Sequence, residues 1–449
     1  MSAITTLRSV NERNAPVLRL PPEISLKIFK TCFPDKYWDR GSASPLLLGK
    51  ICGAWRDLAW STPLIWTSIS IHSTRRYFKA QLVLVKEWLG RTAGQPLSIF
   101  VDYRTIDPKE TKLYVMQMGV LKIIAGCARQ WYSISFIFPI IGIEAFRHVH
   151  GRLPFLTVAA LLNPHPHEMY LTGHHRPLQF LCDSPKLWDV MVAGYPPSYV
   201  GLPGGAITQL WLDHTSIKRA LEVIRDSPNL KQCTVRVIDT NEIANLPFAT
   251  APALETFKVF GFNMQIGYLF SHLDTPALRN LALHLLGVPL ASQQELVPFL
   301  SRCNSLISLR LSGVDTTVSV LSELLQSTPG LRHFVDDLAL LHGKDIHQVL
   351  DLDYTKILPN LQSLLLERVH PNRKWIKIAS MLCSRWKSTP GTSSSPIARL
   401  DTVTINIEGI SPPCKEVLAA FRRLSEEGMN IILKNSMGSH NFGDLSVWK

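Results

Sequence analysis

Across the second half of the chain one short pattern of apolar positions recurs. An aliphatic residue is followed at its third and fifth later positions by further apolar residues, often with proline two places ahead of it. Leu187, Val190 and Val192 show it, as do Leu230, Cys233 and Val235, and Leu254, Phe257 and Val259. Leu278, Leu281 and Leu283 continue the series, followed by Leu306, Leu309 and Leu311, by Leu331 and Phe334, and by Leu361, Leu364 and Leu366. Alternation with a period of two predicts a short strand that turns one face to a core. Amphipathic helical stretches precede several of these strands, over 217–225, 294–302, 318–326, 375–386 and 415–426. The alternation begins earlier, with a helical stretch over 75–91 leading to a strand over 97–101, and one over 109–130 leading to a strand over 131–138. The lead residues mostly recur at intervals of ~20–30, and units of that size cannot bury their own apolar face, so neighbours must stack. The expected fold is an α/β solenoid with parallel strands on one side and helices on the other. A doubly wound α/β domain would show the same alternation, but no phosphate-binding glycine loop follows any strand.

Residues 20–71 carry a different pattern. Leu20-Pro21-Pro22-Glu23-Ile24 opens a helix, because proline is tolerated in a first turn and Glu23 faces the positive end of the helix dipole. Ile24, Ile28, Phe29 and Cys32 draw one apolar stripe along it, and Pro34 ends it. A polar loop over 35–44 leads to a second proline-initiated helix at Pro45, carrying Leu46, Leu47, Leu48, Ile51 and Cys52, with Gly53 as its natural break. Trp55, Leu58 and Ala59 give a third short apolar face, and Pro63 stops it before an extended segment over 64–69. Three helices this short form little core alone. They are expected to share their apolar surface with a partner or with the rest of the chain.

Leu20-Pro21-Pro22-Glu23-Ile24, Ile28-Phe29, Ile51-Cys52, Trp55-Arg56-Asp57-Leu58-Ala59 and Pro63-Leu64-Ile65-Trp66, in this order, resemble an F-box of the kind found in fungal F-box proteins. The resemblance covers roughly 17–71 and implies docking onto the Skp adaptor of cullin-based ubiquitin ligases. It makes Leu20, Pro21, Ile24, Ile28, Phe29, Ile51, Cys52, Trp55 and Leu58 the adaptor-facing or domain-forming positions. Ser25 stands where a second large aliphatic residue commonly sits, and Gly53-Ala54 replaces the usual basic pair before Trp55. The repeating body resembles leucine-rich repeats, without most of the asparagines that usually follow the strand, and this implies a surface that holds a target protein. The expected organisation is a flexible N-terminus over 1–16, an F-box domain over 17–71, a leucine-rich-repeat-like α/β solenoid over 72–435 and a tail over 436–449 that frays or caps. The alternative is a repeat scaffold with a degenerate F-box and no ligase role.

Composition narrows the class. With 46% hydrophobic and 18% charged residues the chain is far too apolar to be disordered. Its eight cysteines are scattered singly with no CxxC pair, which reads as buried, reduced thiols, and residues 1–20 lack the uninterrupted apolar run of a secretory signal. The cytoplasm or nucleus is the expected location. The most apolar stretch, 131–146, is broken by Pro139, Gly142 and Glu144 and falls short of the ~18 residues a membrane span needs, so a strand running into a loop is expected there, and no membrane. The formal net charge of +12 is spread as single residues and pairs, and no nucleic-acid-binding module accompanies it, so nucleic acid is not an expected partner.

Candidate chemistry is sparse. His165, His167, Glu168, His174 and His175 are metal-ligating types, but Pro164 and Pro166 and the lack of i, i+4 spacing favour a solvated loop. Residues 201–205 are glycine-rich without either phosphate-binding arrangement, and read as a loop entering a strand at Ile207. No GxSxG elbow occurs. Arg368, Arg373, Lys374 and Lys377, with Arg385 and Lys387 beyond them, follow a repeat strand closely and could hold an acidic or phosphorylated target through bidentate guanidinium contacts. A solvated helix face is the plainer account of the same residues. No catalytic residue, metal or cofactor is expected, only a non-enzymatic adaptor.

Overall fold

The computed structural model describes residues 20–32, 44–73, 77–104, 109–149, 151, 153–166, 177–195, 199–239, 243–261, 266–286, 294–313, 317–337, 346–351, 357–369, 375–387, 398–407, 413–435 and 438–441. They form two compact units that divide between Pro203 and Gly204.

The first unit begins with helices Pro22–Cys32, Pro45–Ile51 and Gly53–Trp60. Two details differ from the sequence expectation. Cys52 does not continue the second helix: its backbone is extended and its Sγ accepts the Trp55 N–H at 3.4 Å, so it caps the third helix, which Gly53 opens. The segment after Pro63 is not extended throughout, because Pro63–Trp66 winds into a 3₁₀ turn before strand Ser68–His72 starts. The turn is held by the buried Trp66, whose indole N–H donates to the Ala59 carbonyl at 2.8 Å.

That strand opens a parallel ladder. Ser68–His72 pairs with Leu97–Asp102, then Trp131–Ile137, Val158–Leu162 and Asp189–Ala193 follow in chain order. Helices Phe78–Arg91 and Thr111–Gly126 supply the first two crossovers, as parallel pairing requires. The apolar stretch 131–146 is a strand followed by helical turns Ile140–Ile143 and Glu144–Phe146 rather than by a loop. Trp131, Phe136, Phe138 and Phe146 pack there with ring centroids 5.0–5.9 Å apart. Glu144 is accounted for by Arg147, which donates to both its carboxylate oxygens at 2.6 and 2.7 Å, and by the Tyr199 hydroxyl. Among the described residues no helix is long and apolar enough to cross a membrane.

The second unit repeats the same step. Strands Gln209–Ser216, Gln232–Asp239, Thr256–Gly261, Asn280–Leu285, Ser308–Ser312, His333–Asp337, Ser363–Val369, Thr402–Ile407 and Asn430–Asn435 pair in parallel, each with the next. Gly438–Asn441, within the expected tail, pairs antiparallel with the last of them. A long parallel sheet that grows one strand at a time in chain order, with helices in the crossovers, resembles a leucine-rich-repeat solenoid and differs from a doubly wound sheet, whose strand order reverses.

The register explains the recurrent pattern. Val259, Leu283, Leu311, Leu366 and Ile405 share one aligned row that is continuous apart from Asp336, and all five aliphatic members are buried. Each such side chain contributes about 1.5–3 kcal/mol on leaving water. The lead leucines are fixed by turns in which Leu230, Leu254, Leu278 and Leu331 donate their N–H to the carbonyls of Ser227, Ala251, Thr275 and Thr328. Proline follows each of those four acceptors, the position where its fixed φ favours the turn. Asn229 and Asn360 link successive units, donating to the carbonyls of Gly205 and Pro329 at 2.8 and 3.0 Å.

Candidate protein-binding surfaces

The N-terminal helices split the expected apolar stripe in two. Ser25 and Phe29, one turn apart, face inward, and Phe29 meets Trp55 edge-on at 5.0 Å. Ile24 and Ile28 face outward at 41% and 37% exposure, and Cys32 is exposed as well. The second helix repeats this division: Leu48 is buried, while Leu47 and Ile51, again one turn apart, are 48% and 62% exposed. Pro21 is exposed, and Leu20, Cys52, Trp55 and Leu58 are half-buried. Two short helices therefore each present an i, i+4 aliphatic pair to solvent. Leu47 is an apolar residue of the second helix that the resemblance does not place among the adaptor-facing positions, although its spacing from Ile51 was the available signal.

The helices are fastened to the crossover helix Phe78–Arg91 by tryptophan. Trp66 packs edge-on against Trp60 at 5.2 Å and Trp88 at 4.8 Å, and the Trp88 indole N–H donates to the Trp66 carbonyl at 2.8 Å. The Arg91 guanidinium lies 5.5 and 5.1 Å from the Trp60 and Trp66 rings, a favourable cation–π geometry. Gly49 is required by this packing, since a Cβ there would collide with the Trp60 ring. Arg56 locks the same corner by donating to the Gly49 carbonyl.

A second surface lies on the outward face of the second unit's sheet, at the positions between the buried aliphatics. One row aligns Trp211, Thr234, Lys258, Ala282 and Arg310, and the next aligns Asp213, Arg236, Phe260 and His284. Arg236 bridges Asp213 at 3.3 Å and lies 5.4 Å from the Phe260 ring. Phe260 stacks on His284 with centroids 4.4 Å apart and planes 5° from parallel. Arg310 reaches past the neighbouring strand to both carboxylate oxygens of Glu367, at 2.6 and 2.7 Å. Burial and the Arg310 charge, with Lys258 adding to them, lower the His284 pKa against the pull of Glu367. The imidazole is thus kept neutral near pH 7 and stacks as a plain aromatic ring. Sequence reading missed this surface because attention to the buried positions of each strand passes over the alternate ones.

Of the predicted basic cluster, the described residues include the side chains of Lys377, Arg385 and Lys387. Lys377 is exposed on helix Trp375–Lys387, whereas Arg373, Lys374 and the side chain of Arg368 lie outside the described residues. Arg385 turns inward: 1% exposed, it donates to the carbonyls of Leu350, Ile357 and Leu358 at 2.5, 2.7 and 3.1 Å. Burial lowers its pKa to about 10, which still leaves it charged at neutral pH. It is a structural residue. Of the histidine-rich stretch, His165 bonds the Arg104 carbonyl at 2.9 Å and residues 167–176 lie outside the described set. Among the described residues no group of His, Cys, Asp or Glu could hold a metal ion. All eight cysteines carry free thiols, but only Cys233 and Cys303 are buried, and Cys32 and Cys414 are exposed, so the expectation of uniformly buried thiols fails.

No family model matches the sequence. No curated protein matches it either. Among solved structures, an internalin from Listeria monocytogenes is similar at 11% identity and a TM-score of 0.32, over 91% of this chain and 96% of that one. A likeness that distant carries no argument, so the repeat architecture rests on the register and burial described above.

Proposed function

We propose that this protein is a substrate-recognition adaptor of a Skp–cullin–F-box type ubiquitin ligase, working in the cytoplasm or nucleus and performing no bond chemistry of its own. The N-terminal helices dock the Skp adaptor and the repeat body holds a target protein. Its contribution is to keep a target lysine near a ubiquitin-charged enzyme, which raises effective concentration. One observation carries the reading. Ile24, Ile28, Leu47 and Ile51 stand exposed on helices that packed tryptophans hold to the crossover helix Phe78–Arg91. Exposed aliphatic pairs on an anchored helical element suit an apolar partner surface. The test is capture of purified Skp adaptor by full-length protein and by the double variant Ile28→Asp/Ile51→Asp. Capture by the first and loss in a folded double variant is the expected result, and Trp55→Ala should weaken capture as well. Failure of the folded wild type to capture adaptor rejects the ligase role.

A second reading, a repeat scaffold that recruits no ligase, is favoured by Ser25. This small polar residue is buried at 6% exposure on the inner face of the first helix, where the F-box resemblance leads one to expect a large aliphatic. Co-purification separates the two, because a scaffold comes down with its target and without adaptor or cullin.

A further inference from the structure

The outward sheet face of the second unit combines three features that the fold itself does not need. Trp211 is 42% exposed, a large aromatic surface left in water. Phe260 and His284 form a flat, half-buried stacked platform on adjacent strands. Lys258 is exposed between Thr234 and Ala282 in the aligned row, so small side chains flank it and leave its ammonium accessible. Its electrostatic surroundings set it apart from the nearby arginines. Arg236 is paired with Asp213 and Arg310 with Glu367, whereas among the described residues no carboxylate lies within ion-pair distance of Lys258. Of these three cations only Lys258 has no carboxylate partner among the described residues.

From this arrangement we infer that the face around Trp211, Lys258 and Phe260 docks an extended acidic segment of the target protein. A carboxylate of that segment meets Lys258, and an apolar or aromatic side chain lies on Trp211 or on the Phe260–His284 platform. The inference rests on the reading of the repeat body as the target-holding part and names the chemistry of that target. Charge complementarity selects a carboxylate over a phosphate. A dianion calls for several uncommitted donors, and recruiting Arg236 or Arg310 would break ion pairs already made. Tryptophan is among the residues at which binding energy concentrates at protein interfaces.

The test begins with selection of random linear peptides, displayed on phage, against immobilised full-length protein. Enrichment of sequences with Asp or Glu beside an aromatic or aliphatic residue is expected. The affinity of a synthetic enriched peptide should fall at least about tenfold in Lys258→Glu and in Trp211→Ala, and be retained in Lys258→Arg. Each variant is first matched to wild type in unfolding midpoint, and all should still capture Skp adaptor. Enrichment of neutral or basic peptides, indifference to Lys258→Glu, or binding that appears only when the peptide is phosphorylated would each overturn the assignment. If wild type binds the acidic peptides but never the adaptor, the ligase reading falls and this one stands. If it captures adaptor while no acidic peptide is selected, this one falls alone.

Discussion

The N-terminal helices and the repeats of the second unit use the same aliphatic side chains in opposite ways. In the repeats Leu281, Leu283, Leu309, Leu311, Leu364 and Leu366 are all buried, because the register of each strand adds its inward residues to a row that neighbours cover on both sides. In the helices Ile24, Ile28, Leu47 and Ile51 are left in water, while a different set, Phe29, Leu48 and Ala59, makes the contacts that hold the helices together. A repeat array completes its own core by stacking, whereas a short helical cluster has more apolar residues than inward positions. What is left outside is the part of the sequence whose pattern cannot be explained by the fold.

The strongest test of this contrast is to loosen the N-terminal helices from the rest of the first unit. Trp66 is fully buried and its backbone and side chain both bond to other elements, so Trp66→Ala should destabilise the first unit by about 3–5 kcal/mol. Limited proteolysis should then cut between the helices and the sheet, and adaptor capture should fall with it. Helices that stay protected in Trp66→Ala would show that the tryptophan ladder is not their anchor. Next in size, Leu309→Ala removes a fully buried side chain between two occupied strands and should cost about 2–5 kcal/mol in the urea-induced unfolding of the second unit. A cost under about 1 kcal/mol would mean that the rows relax around a gap and are not close-packed.

One member of the aligned row breaks its chemistry. Asp336 lies between Leu311 and Leu366 at 5% exposure, and among the described residues its Oδ2 has no hydrogen-bond partner. Burial pushes its pKa up to about 7. In the unfolded chain the carboxyl ionises near its ordinary value of about 4. Between those values the folded state holds a proton that the unfolded state has lost, so stability falls as pH rises through the window, and above it the full penalty is present. Wild type should therefore be less stable at pH 8 than at pH 5 by on the order of 2 kcal/mol from this group. Asp336→Val should flatten that dependence and stabilise the protein at pH 8, as read by thermal melts at both values. An unchanged slope would show that the carboxyl finds a partner in the folded protein.

Much of this architecture was legible beforehand, and the failures have physical causes. Leu230, Leu254, Leu278 and Leu361 announced their strands because proline turns and period-two burial leave a strong local signature. Val158–Leu162 escaped notice because its inward residues are Ala159 and Leu161, and alanine dilutes the alternation, although Pro154 and Leu156 stand in the usual places ahead of it. Thr402–Ile407 lacks the proline turn, so the pattern of Leu400, Val403 and Ile405 does not stand out in the sequence. The helices were placed well but their faces were not, since Ile24, Ile28 and Phe29 lie close enough on a helical wheel to read as one stripe. Only packing against Trp55 decides which of them turns inward. Arg385 shows the same limit for charge, because nothing in a run of basic residues reveals that one of them satisfies three buried carbonyls.

The smallest expected effect gives the comparison its finest test. Ile51 and Leu309 are both aliphatic members of a regular periodic pattern, yet one is 62% exposed and the other fully buried. If Ile51 contributes nothing to the fold, Ile51→Ala should change stability by no more than about 0.5 kcal/mol, the range usual for surface sites. The same substitution should still weaken adaptor capture if the outward pairs form the docking surface, because truncating an aliphatic that is buried only in a complex costs affinity and leaves the free protein untouched. Titration of full-length Ile51→Ala with Skp adaptor, beside urea unfolding of the same sample, reads both quantities. A loss of stability comparable to that of Leu309→Ala would place Ile51 in the core of the free protein and remove the distinction between the two modes. Unchanged stability with unchanged affinity would leave the exposed pairs without a role in adaptor binding.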